Sequence, residues 1–385
     1  MTLIVRKLAE NIKVASEYYP VISLAGPRQA GKSTLLRQVF SDYRYLSMED
    51  PDTYAFAMTD TRGFFQQYNE GVIIDEAQKF PDLFSFPQGM VDQKRTPGRF
   101  VLSGSQNYLM HRNITQSLAG RIDLSTLFPF DFDEVSTIEH WKNQSTEQIM
   151  LNGFYPGKLS QNIPTKMFYN NYIRTYIERD VTDLINVGNL TSFRTFLKLI
   201  ALKSGSPIKF TDLSNDLNVS VNTVKTWVSI LESSYIIFML PSYHKNLGKR
   251  ILKTPKIYFY DVGLLCHLLG LTDEEKLRKY NYYGIIFENF VIAELAKYNA
   301  HRQKDDDLFF FRDSNGLEVD LLEVNPMSTS MTEIKSGKTF KAQFLDSMKK
   351  LKILDTSFDM RIIYDGAENV TLKDYSVVNW MNMHD

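Results

Sequence analysis

Cysteine is almost absent from this chain, which has Cys266 alone in 385 residues. A single thiol excludes an intramolecular disulfide framework, as is typical of proteins that work in a reducing compartment. We therefore expect a cytoplasmic protein. Cys266 lies within the apolar run 263–269, so we interpret it as a small core residue.

Long apolar runs and a strong charge of one sign are lacking as well. No stretch reaches the roughly 18 apolar residues that a membrane span needs, and Arg6 and Lys7 interrupt the start of the chain. We expect neither secretion nor a membrane partner. The formal net charge is −1, so a surface that binds nucleic acid would have to be a local patch.

What the chain does contain, close to its start, is a complete phosphate-binding loop followed by a helical pattern. The loop reads Gly26-Pro27-Arg28-Gln29-Ala30-Gly31-Lys32-Ser33-Thr34 and follows the apolar run 21–25. Glycines let successive backbone N–H groups surround a β-phosphate, Lys32 would reach the β and γ oxygens, and the Ser33 hydroxyl would ligate Mg²⁺. The pattern predicts binding of ATP and Mg²⁺.

A second apolar run, at 71–74, ends in two carboxylates, Asp75 and Glu76. This is the pattern of a buried parallel strand that ends at a site. Asp75 would hold Mg²⁺ through its water shell, and Glu76 would orient and deprotonate the water that attacks the γ-phosphate. The alternative is a strand followed by a solvated acidic turn.

Two further strands are predicted, each with a polar neighbour of interest. The strand 99–103 is followed by Ser105 and Gln106, and either could sense the γ-phosphate if the segment is more than a polar turn. Residues 117–121 predict a helix that ends at a glycine cap, before a strand at 122–127. Arg121 could meet phosphate charge from its own or a neighbouring subunit, or be a surface arginine.

The middle of the chain predicts a connector helix at 169–183 and then a helix-turn-helix with a wing. The two helices are 211–217 and 220–231, with Thr211 and Ser220 as N-caps. Strands at 235–241 and 256–261 flank the wing. The outward face of the second helix and the basic wing are suited to salt-sensitive, sequence-tolerant DNA contact, although such modules also dock proteins. The residues concerned are Asn222, Thr223, Lys225, Thr226 and Ser229 on the helix, and Lys245, Lys249, Arg250 and Lys253 in the wing.

The last third predicts an amphipathic helix at 287–295, strands at 308–312, 316–324 and 332–335, a helix at about 341–351 and a strand at 360–364. With Glu288, Asp320, Glu333 and Lys335, this order resembles the core of the PD-(D/E)XK nucleases. Glu333 and Lys335 would share one strand face. The three carboxylates would hold Mg²⁺ while Lys335 acts on the attacking water. The motif's proline is missing, since Val319 precedes Asp320, and many proteins of this fold bind without cutting.

Taken together, the segments 24–34, 73–78, 102–106, 117–121, 172–181 and 287–291 resemble the predicted ATPases of bacteria and archaea that join an AAA-type P-loop module to a C-terminal domain of unknown function. The resemblance implies an α/β fold and ATP binding, and it supplies no biological task. Residues 152–157 depart from the plainer Gly-Gly-Tyr/Phe-Pro turn of such proteins.

These patterns predict an α/β chain of four parts. They are an AAA-type P-loop ATPase domain with a parallel sheet (1–160), a helical connector (161–200), a winged helix-turn-helix (201–275) and a nuclease-like α/β domain (276–385). We expect an ATPase that acts on DNA, with an additional metal-dependent endonuclease site and assembly into a homo-oligomer. The alternatives are an ATP-driven signalling switch whose C-terminal part only docks partners, and a transcription regulator that uses the helix-turn-helix alone.

Overall fold

The computed structural model describes residues 4–80, 89–91, 95–105, 118–178, 190–243, 254–304, 306–314, 316–353 and 357–384. An N-terminal parallel sheet and a C-terminal mixed sheet are joined by a mostly helical middle. No helix within these ranges has both the length and the apolar character that crossing a bilayer requires.

The N-terminal sheet has five parallel strands in the order β2-β3-β4-β1-β5. Its strands are β1 Val21–Ala25, β2 Arg44–Ser47, β3 Val72–Asp75, β4 Phe100–Gly104 and β5 Ile122–Thr126, and its helices are α1 Leu8–Ala15, α2 Lys32–Val39, α3 Pro51–Thr59 and α4 Thr61–Gln67. The short turn Ala77–Lys79 is a 3₁₀-helix. The four predicted strands of this sheet are confirmed, and β2 was not predicted. Because β1, β3 and β4 are buried along their whole length, they carry near-continuous apolar runs.

The direction of the strands decides where Arg121 lies. Ile122 of β5 pairs with Val21 at the start of β1, and Thr126 pairs with Ala25 at its end. Arg121 therefore lies at the amino ends of the strands, whereas the phosphate-binding loop lies at their carboxyl ends. At the rise of a strand, the two are about 15 Å apart. The predicted contact of Arg121 with phosphate bound to its own subunit is wrong for this geometric reason. The described residues 118–121 form a turn with Gly120 at φ +73°, where the end of a helix was predicted.

The middle consists of short helices and one antiparallel pair of strands. The helices are α5 Phe132–Val135, α6 Glu139–Lys142, α7 Thr146–Asn152, α8 Pro156–Gln161, α9 Thr165–Tyr172, α10 Leu190–Leu202, α11 Phe210–Leu217, α12 Val221–Ser233, α13 Val262–Leu268 and α14 Glu274–Arg278. A π-helical turn, Ile173–Ile177, continues α9. The strands β6 Ile237–Leu240 and β7 Lys256–Phe259 form the pair.

The helices α11 and α12 occupy the positions predicted for the helix-turn-helix. The Ser220 hydroxyl accepts a hydrogen bond from the Thr223 N–H at 3.0 Å, which confirms this N-cap. Thr211 is not a cap, because α11 already begins at Phe210 and the Thr211 hydroxyl donates to the Asp212 carboxylate. The wing prediction, with Lys245, Lys249, Arg250 and Lys253, lies outside the described residues.

The C-terminal part is a mixed sheet with a long helix, α15 Tyr283–His301, preceding it. The strand order is β12-β13-β11-β10-β9-β8, and β10 is parallel to β11 and antiparallel to β9. The elements are β8 Asp307–Arg312, β9 Glu318–Val324, β10 Thr329–Lys335, α16 Asp346–Lys352, β11 Phe358–Tyr364, β12 Val370–Thr371, β13 Ser376–Asn379 and the 3₁₀-helices Ala342–Leu345 and Trp380–Asn382.

The helix α15 is not the amphipathic helix that was predicted. Residues on all its faces are buried, among them the polar Asn289, Glu294, Lys297 and His301. The reason is that α15 packs against the middle part, against β10 and against the segment that follows β5. Such a helix is central to the core, so its sequence lacks a polar stripe.

The apolar core has a simple arrangement around the two sheets. The N-terminal sheet carries one apolar cluster on each face. Successive residues of β1, such as Val21 and Ile22, lie on opposite faces and therefore belong to different clusters. The largest cluster runs from Phe130 to Met383 and joins the middle to the C-terminal part. Cys266 belongs to it, and burial raises the pKa of its thiol, which confirms it as a core residue.

Candidate functional site

The phosphate-binding loop has a backbone that only its glycines permit. Gly26 has φ +150°, and a Cβ there would lie 2.0 Å from the carbonyl oxygen of Leu127. Gly31, at φ +91°, directly precedes α2. The Lys32 ammonium donates to the carbonyl oxygens of Gly26 and Pro27, at 2.8 and 2.9 Å. The loop thus folds around the lysine side chain, with the N-terminus of α2 opening into it.

Asp75 lies at the end of β3 and accepts hydrogen bonds from three hydroxyl groups. The Ser33 Oγ donates to Oδ2 at 2.7 Å, and the hydroxyls of Ser103 and Tyr45 also donate to this carboxylate. Although burial favours the neutral acid, the hydrogen bonds from Ser103, Tyr45 and Ser33 lower the pKa of Asp75. Burial, and then the neighbouring Asp75, raises the pKa of Tyr45 to about 12. An ionised carboxylate beside a hydroxyl, at a helix N-terminus, is an oxygen donor set that fits Mg²⁺.

Glu76 follows in a left-handed turn, at φ 52°. Its carboxylate accepts hydrogen bonds from the Gln78 amide and from the Ser105 Oγ, the latter at 3.2 Å. Gln78 also donates to Ser105, at 3.3 Å. The structure therefore brings Ser105 to Glu76, whereas Gln106 lies outside the described residues.

Sequence reasoning missed Tyr45, Ser103 and Gln78. For Ser103 a signal existed, because a polar residue at the end of an otherwise apolar strand is often directed at a site. Tyr45 gave none, since β2 is short and only Leu46 of its four residues is buried.

A cleft of about 500 Å³ adjoins the loop. Its walls come from the N-terminal segment, from α2 and from α8. The lining is apolar at Ile4, Leu35, Phe130, Pro156, Leu159 and Ile163, and polar at Gln29, Thr34, Gln38, Ser160 and Gln161. The cleft is large enough for a small aromatic ligand and offers amide and hydroxyl groups to it.

The turn 152–157, where the sequence departs from its resemblance, packs against the loop. A Cβ at Gly31 would lie 3.7 Å from the Cγ of Pro156. The turn itself is fixed by Asp261, which accepts a hydrogen bond from the Phe154 N–H at 2.9 Å. The π-helical turn after α9 also contacts the loop, because the Gln29 amide donates to the Tyr176 hydroxyl at 2.9 Å.

Arg6 connects the loop to the rest of the molecule. Its guanidinium donates to the carbonyl oxygens of Ala30 and Phe128, at 2.9 and 2.7 Å, and forms an ion pair with Glu134 at 3.1 Å. His301 lies beside it, with Nε2 at 3.3 Å. Arg6 is a further residue that the sequence did not single out, because its partners are distant along the chain.

Among the described residues, one group of three has ligand atoms within 4.8 Å of one another, as a metal site would need: Asp131, Glu134 and His301. Cations already surround this group. Arg6 pairs with Glu134, and Arg302 pairs with Asp131 at 3.0 Å. Both ring nitrogens of His301 have partners, Asp131 and the Phe128 N–H, at 2.9 and 3.1 Å. The group therefore forms a buried polar network in which Arg6 and Arg302, and not a metal ion, neutralise the carboxylates.

The C-terminal residues predicted from the nuclease resemblance lie near one another. Lys335 contacts Glu333 at 2.5 Å and Asp320 at 3.2 Å, as expected for two residues on one strand face and a third on the neighbouring strand. The Ile334 N–H donates to Asp320 at 2.8 Å. Burial, and then the charge of Asp320, raises the pKa of Glu333 to about 8.

Glu288 approaches the same region from α15 but pairs with residues that the sequence did not suggest. Lys256 of β7 lies 3.1 Å from Glu288 and 2.7 Å from Glu318, and the Tyr258 hydroxyl donates to Glu288 at 2.5 Å. Burial, and then the charge of Asp320, raises the pKa of Glu288 to about 7. We name Glu288, Glu318, Asp320 and Glu333 the carboxylate cluster. Carboxylate oxygens suit Mg²⁺ or Mn²⁺, yet in this part of the chain Glu288 is held by Lys256 and does not converge with Asp320 and Glu333 as a metal cage would.

Comparison with protein families divides the chain into three matched regions. Residues 18–136 match a model described as "AAA domain", and residues 143–275 and 283–383 match two models described as "Domain of unknown function", DUF8612 and DUF4143. Residues 18–136, with their loop and parallel sheet, are thus similar to AAA-type P-loop domains and lie within an α/β fold.

Two relatives that are similar over most of this chain are described as uncharacterized. Two uncharacterized proteins, Rv2008c of Mycobacterium tuberculosis and Mb2031c of Mycobacterium bovis, are each 28% identical over 373 residues, which is 96% of this chain and 82% of theirs. Among solved structures, the Walker-type ATPase PABY2304 of Pyrococcus abyssi is 15% identical, with a TM-score of 0.47 over 69% of this chain and 96% of its own.

Proposed function

We propose that this protein binds and hydrolyses ATP at the phosphate-binding loop. The observation that carries the proposal is the junction of loop and β3, where Ser33 contacts Asp75 at 2.7 Å and Lys32 fills the loop. Residues 26–34 would surround the phosphates, and Ser33 and Asp75 would hold Mg²⁺. When bound, the metal would neutralise negative charge that develops on the phosphates during hydrolysis.

The side chains of this site have distinct proposed tasks. Lys32 would exchange its two carbonyl partners for phosphate oxygens, which are stronger acceptors because they are charged. The adjoining cleft would take the base and ribose. Its lining contains the amide side chains of Gln29, Gln38 and Gln161, and an amide can both donate to and accept from the polar edge of adenine. This chemistry favours adenine.

Glu76 is the proposed general base. Its contacts with Gln78 and Ser105 would orient the carboxylate toward the attacking water and allow it to take a proton. Ser105 and Gln106 stay candidates for contact with the γ-phosphate. Arg121 lies at the amino ends of the strands, away from the loop, so it would reach a phosphate only in a neighbouring copy of the chain. Its proposed role therefore requires a homo-oligomer.

The test is nucleotide binding and hydrolysis by the full-length protein. Lys32→Ala should abolish binding of ATP, measured with a fluorescent ATP analogue, because the loop would lose its ammonium group. Lys79→Ala is the matched control, since Lys79 follows the same site but pairs with Glu49 on the surface. Unchanged nucleotide affinity in Lys32→Ala would refute the proposal.

Action on DNA is the second candidate. Its support is the surface of α12, where Asn222, Lys225, Thr226 and Ser229 are exposed and carry no negative charge. Cleavage would involve Lys335 with Asp320, Glu333 and Glu288. If the protein cuts DNA, plasmid incubated with Mn²⁺ should be nicked, and Lys335→Ala should stop the nicking.

The ATP-driven switch is the competing candidate. The ion pairs of Lys256 and Lys335 favour it, since they satisfy the carboxylate cluster without a metal. ATP hydrolysis with and without DNA, with cleavage products followed in the same tube, separates the two. Hydrolysis that DNA does not change, without any cleavage, would favour a docking role for the C-terminal part.

A further inference from the structure

Gln29, in the middle of the phosphate-binding loop, has a backbone conformation that is unfavourable for its residue type. Its φ is +62°, in the left-handed region that glycine adopts readily and other residues rarely enter. The conformation matters to the loop, because a left-handed residue within a turn directs successive backbone N–H groups inward, and such a concavity binds anions. The turn is closed by the Ala30 N–H, which donates to the Pro27 carbonyl oxygen at 3.3 Å. For phosphate to bind, Gln29 therefore has to be held in this conformation.

Residues from outside the loop contact the Gln29 side chain. Its amide group donates a hydrogen bond to the Tyr176 hydroxyl at 2.9 Å. Its carbonyl oxygen Oε1 lies against Gly157, where a Cβ would be only 3.0 Å away from it. Tyr176 also contacts the preceding residue of the loop, because the guanidinium carbon of Arg28 lies 5.4 Å from the centre of the Tyr176 ring. One tyrosine thus touches two successive residues of the loop.

Tyr176 belongs to the π-helical turn 173–177, a rare conformation that is frequent at functional sites. Just before this turn, the Tyr172 hydroxyl donates to the Arg28 carbonyl oxygen at 3.4 Å. Just after it, the Glu178 carboxylate accepts two hydrogen bonds from Arg194 of α10, at 2.7 and 2.9 Å. The turn lies in the matched region 143–275, whereas the loop lies in the region 18–136. The turn therefore connects the phosphate-binding loop to a helix of the middle part.

We propose that Tyr176 is a positioning residue for the phosphate-binding loop, and that the region 143–275 sets the affinity for ATP through it. By holding Gln29 in the left-handed conformation, the Tyr176 hydroxyl keeps the backbone N–H groups directed at the phosphates before ATP arrives. A loop that is preorganised in this way loses less conformational freedom when the ligand binds. This inference rests on the proposed ATP site and adds a part of the chain that controls it.

The first test measures the affinity of the full-length protein for a fluorescent ATP analogue. Tyr176→Phe removes the hydroxyl and keeps the ring, and it should weaken binding by about two- to tenfold, the usual contribution of one hydrogen bond. Gln29→Ala should weaken binding to a similar extent, because alanine at a positive φ is still unfavourable and the contact with Tyr176 is lost. Thr175→Val is the control on the same turn, since the Thr175 hydroxyl donates to the Asn171 carbonyl at 2.7 Å and not to the loop.

Gln29→Gly separates positioning from a general loss of packing. Glycine adopts a positive φ readily, so a loop with glycine at this position does not need the Tyr176 hydroxyl. Tyr176→Phe added to Gln29→Gly should therefore leave the affinity within about twofold of that of Gln29→Gly alone. Equal affinity in Tyr176→Phe and the unchanged protein overturns the proposal. So does a loss in Tyr176→Phe that recurs in full in the Gln29→Gly background.

A second test needs no nucleotide. Hydrogen exchange of the loop amides, among them the Ala30 N–H, can be followed by mass spectrometry of peptides from the nucleotide-free protein. Exchange should be faster in Tyr176→Phe and in Gln29→Ala, and unchanged in Thr175→Val, because only the first two release Gln29. If loop exchange in Tyr176→Phe keeps its original rate, the hydroxyl does not hold the loop and the inference is wrong. If the unchanged protein binds no ATP analogue, it is the proposed function that fails, and loop exchange still decides whether Tyr176 positions the loop.

Discussion

Adjacent side chains at the end of β3 have surroundings that suit different chemistry. Asp75 accepts hydrogen bonds from three hydroxyls, and the pKa of its carboxyl is lowered by them despite burial. Glu76 has an amide and one hydroxyl as partners and lies in a left-handed turn. An anion fixed by hydroxyls is suited to metal binding, and a less constrained carboxylate is suited to proton transfer.

Replacing Glu76 by glutamine removes the proposed base and keeps the shape of the side chain. We expect ATP to bind with unchanged affinity while the rate of hydrolysis falls by about 10² to 10⁴-fold, the usual contribution of a general base. Binding and single-turnover rates measured on the same preparation check this. Hydrolysis at the original rate would remove Glu76 from its role.

Tyr45→Phe removes one of the three hydroxyl donors to Asp75. The carboxylate should then be less firmly ionised and less well oriented, so half-maximal ATP hydrolysis should require several-fold more Mg²⁺. A Mg²⁺ titration at saturating ATP measures this. Tyr43→Phe serves as the control, because the Tyr43 hydroxyl donates to the Gly98 carbonyl at 2.8 Å and not to the site. Equal Mg²⁺ requirements in both variants would contradict the prediction.

Glu294 makes part of the stability dependent on pH. Burial raises the pKa of its carboxyl from 4.5 to about 7 in the folded protein, even though Lys297 opposes the shift. Between these two values the folded state holds a proton that the unfolded state has lost. The free energy of unfolding should therefore fall as pH rises through this interval, by at most about 1.4 kcal/mol per pH unit. Urea denaturation at pH 5 and pH 7 should show less of this fall in Glu294→Gln; an identical fall would contradict it.

At the scale of elements, the sequence predicts well those strands and loops that residues close together in the chain determine. The apolar runs of β1, β3 and β4 are continuous, β5 begins with alternating apolar and polar residues, and the loop after β1 has a fixed spacing, so all of these were recognised. In contrast, β2 and β13 have few buried residues and were missed. Elements that lie at a sheet edge or half in solvent give no clear apolar period.

The site residues that the sequence predicted are close to one another along the chain, and those that it missed have distant partners. Glu333 and Lys335 are two apart, and this spacing on a strand predicted their common face. Asp75 and Glu76 were recognised because they directly follow an apolar run. Lys256 and Arg6 have partners 32 and 128 positions away. Such pairs are brought together only by the packing of whole elements. The spacing of apolar residues along the sequence does not reveal this packing.

The helix α12 offers an element on which DNA contact can be measured. Lys225 is exposed on its outward face. If α12 contacts phosphate, Lys225→Ala should weaken binding to all duplex sequences alike and reduce the slope of log affinity against log salt by about 0.9. Fluorescence anisotropy at several salt concentrations gives the slope. Lys276→Ala, at an exposed position on α14, is the control. A slope equal to that of the unchanged protein would point to a docking role for this face.

At the scale of the molecule, α15 is the element that joins both candidate sites. Its last turns bind the segment after β5, where Lys297 donates to the Phe130 carbonyl at 2.9 Å and Glu294 accepts from the Phe132 N–H at 2.7 Å. Its first turns carry Glu288. About 20 Å of continuous helix separates Glu288 from His301. The helix α15 therefore runs from Glu288 in the carboxylate cluster to His301, whose ring lies beside Arg6 of the loop region.

This arrangement predicts that residues 1–160 do not fold as an independent unit, although the sequence suggests a domain of that extent. Phe132 packs on Trp380 with ring centroids 4.6 Å apart, Tyr155 on Tyr172 at 4.7 Å and Phe154 on Phe290 at 6.5 Å. Each large apolar side chain that becomes exposed loses about 1.5–3 kcal/mol of stabilisation. Three such losses are comparable to the entire stability of an ordinary domain, about 5–15 kcal/mol. The isolated fragment should therefore lack a cooperative thermal transition by circular dichroism and should bind an apolar dye that the full-length protein does not bind. A cooperative transition near that of the full-length protein would show that the parallel sheet is stable without α15.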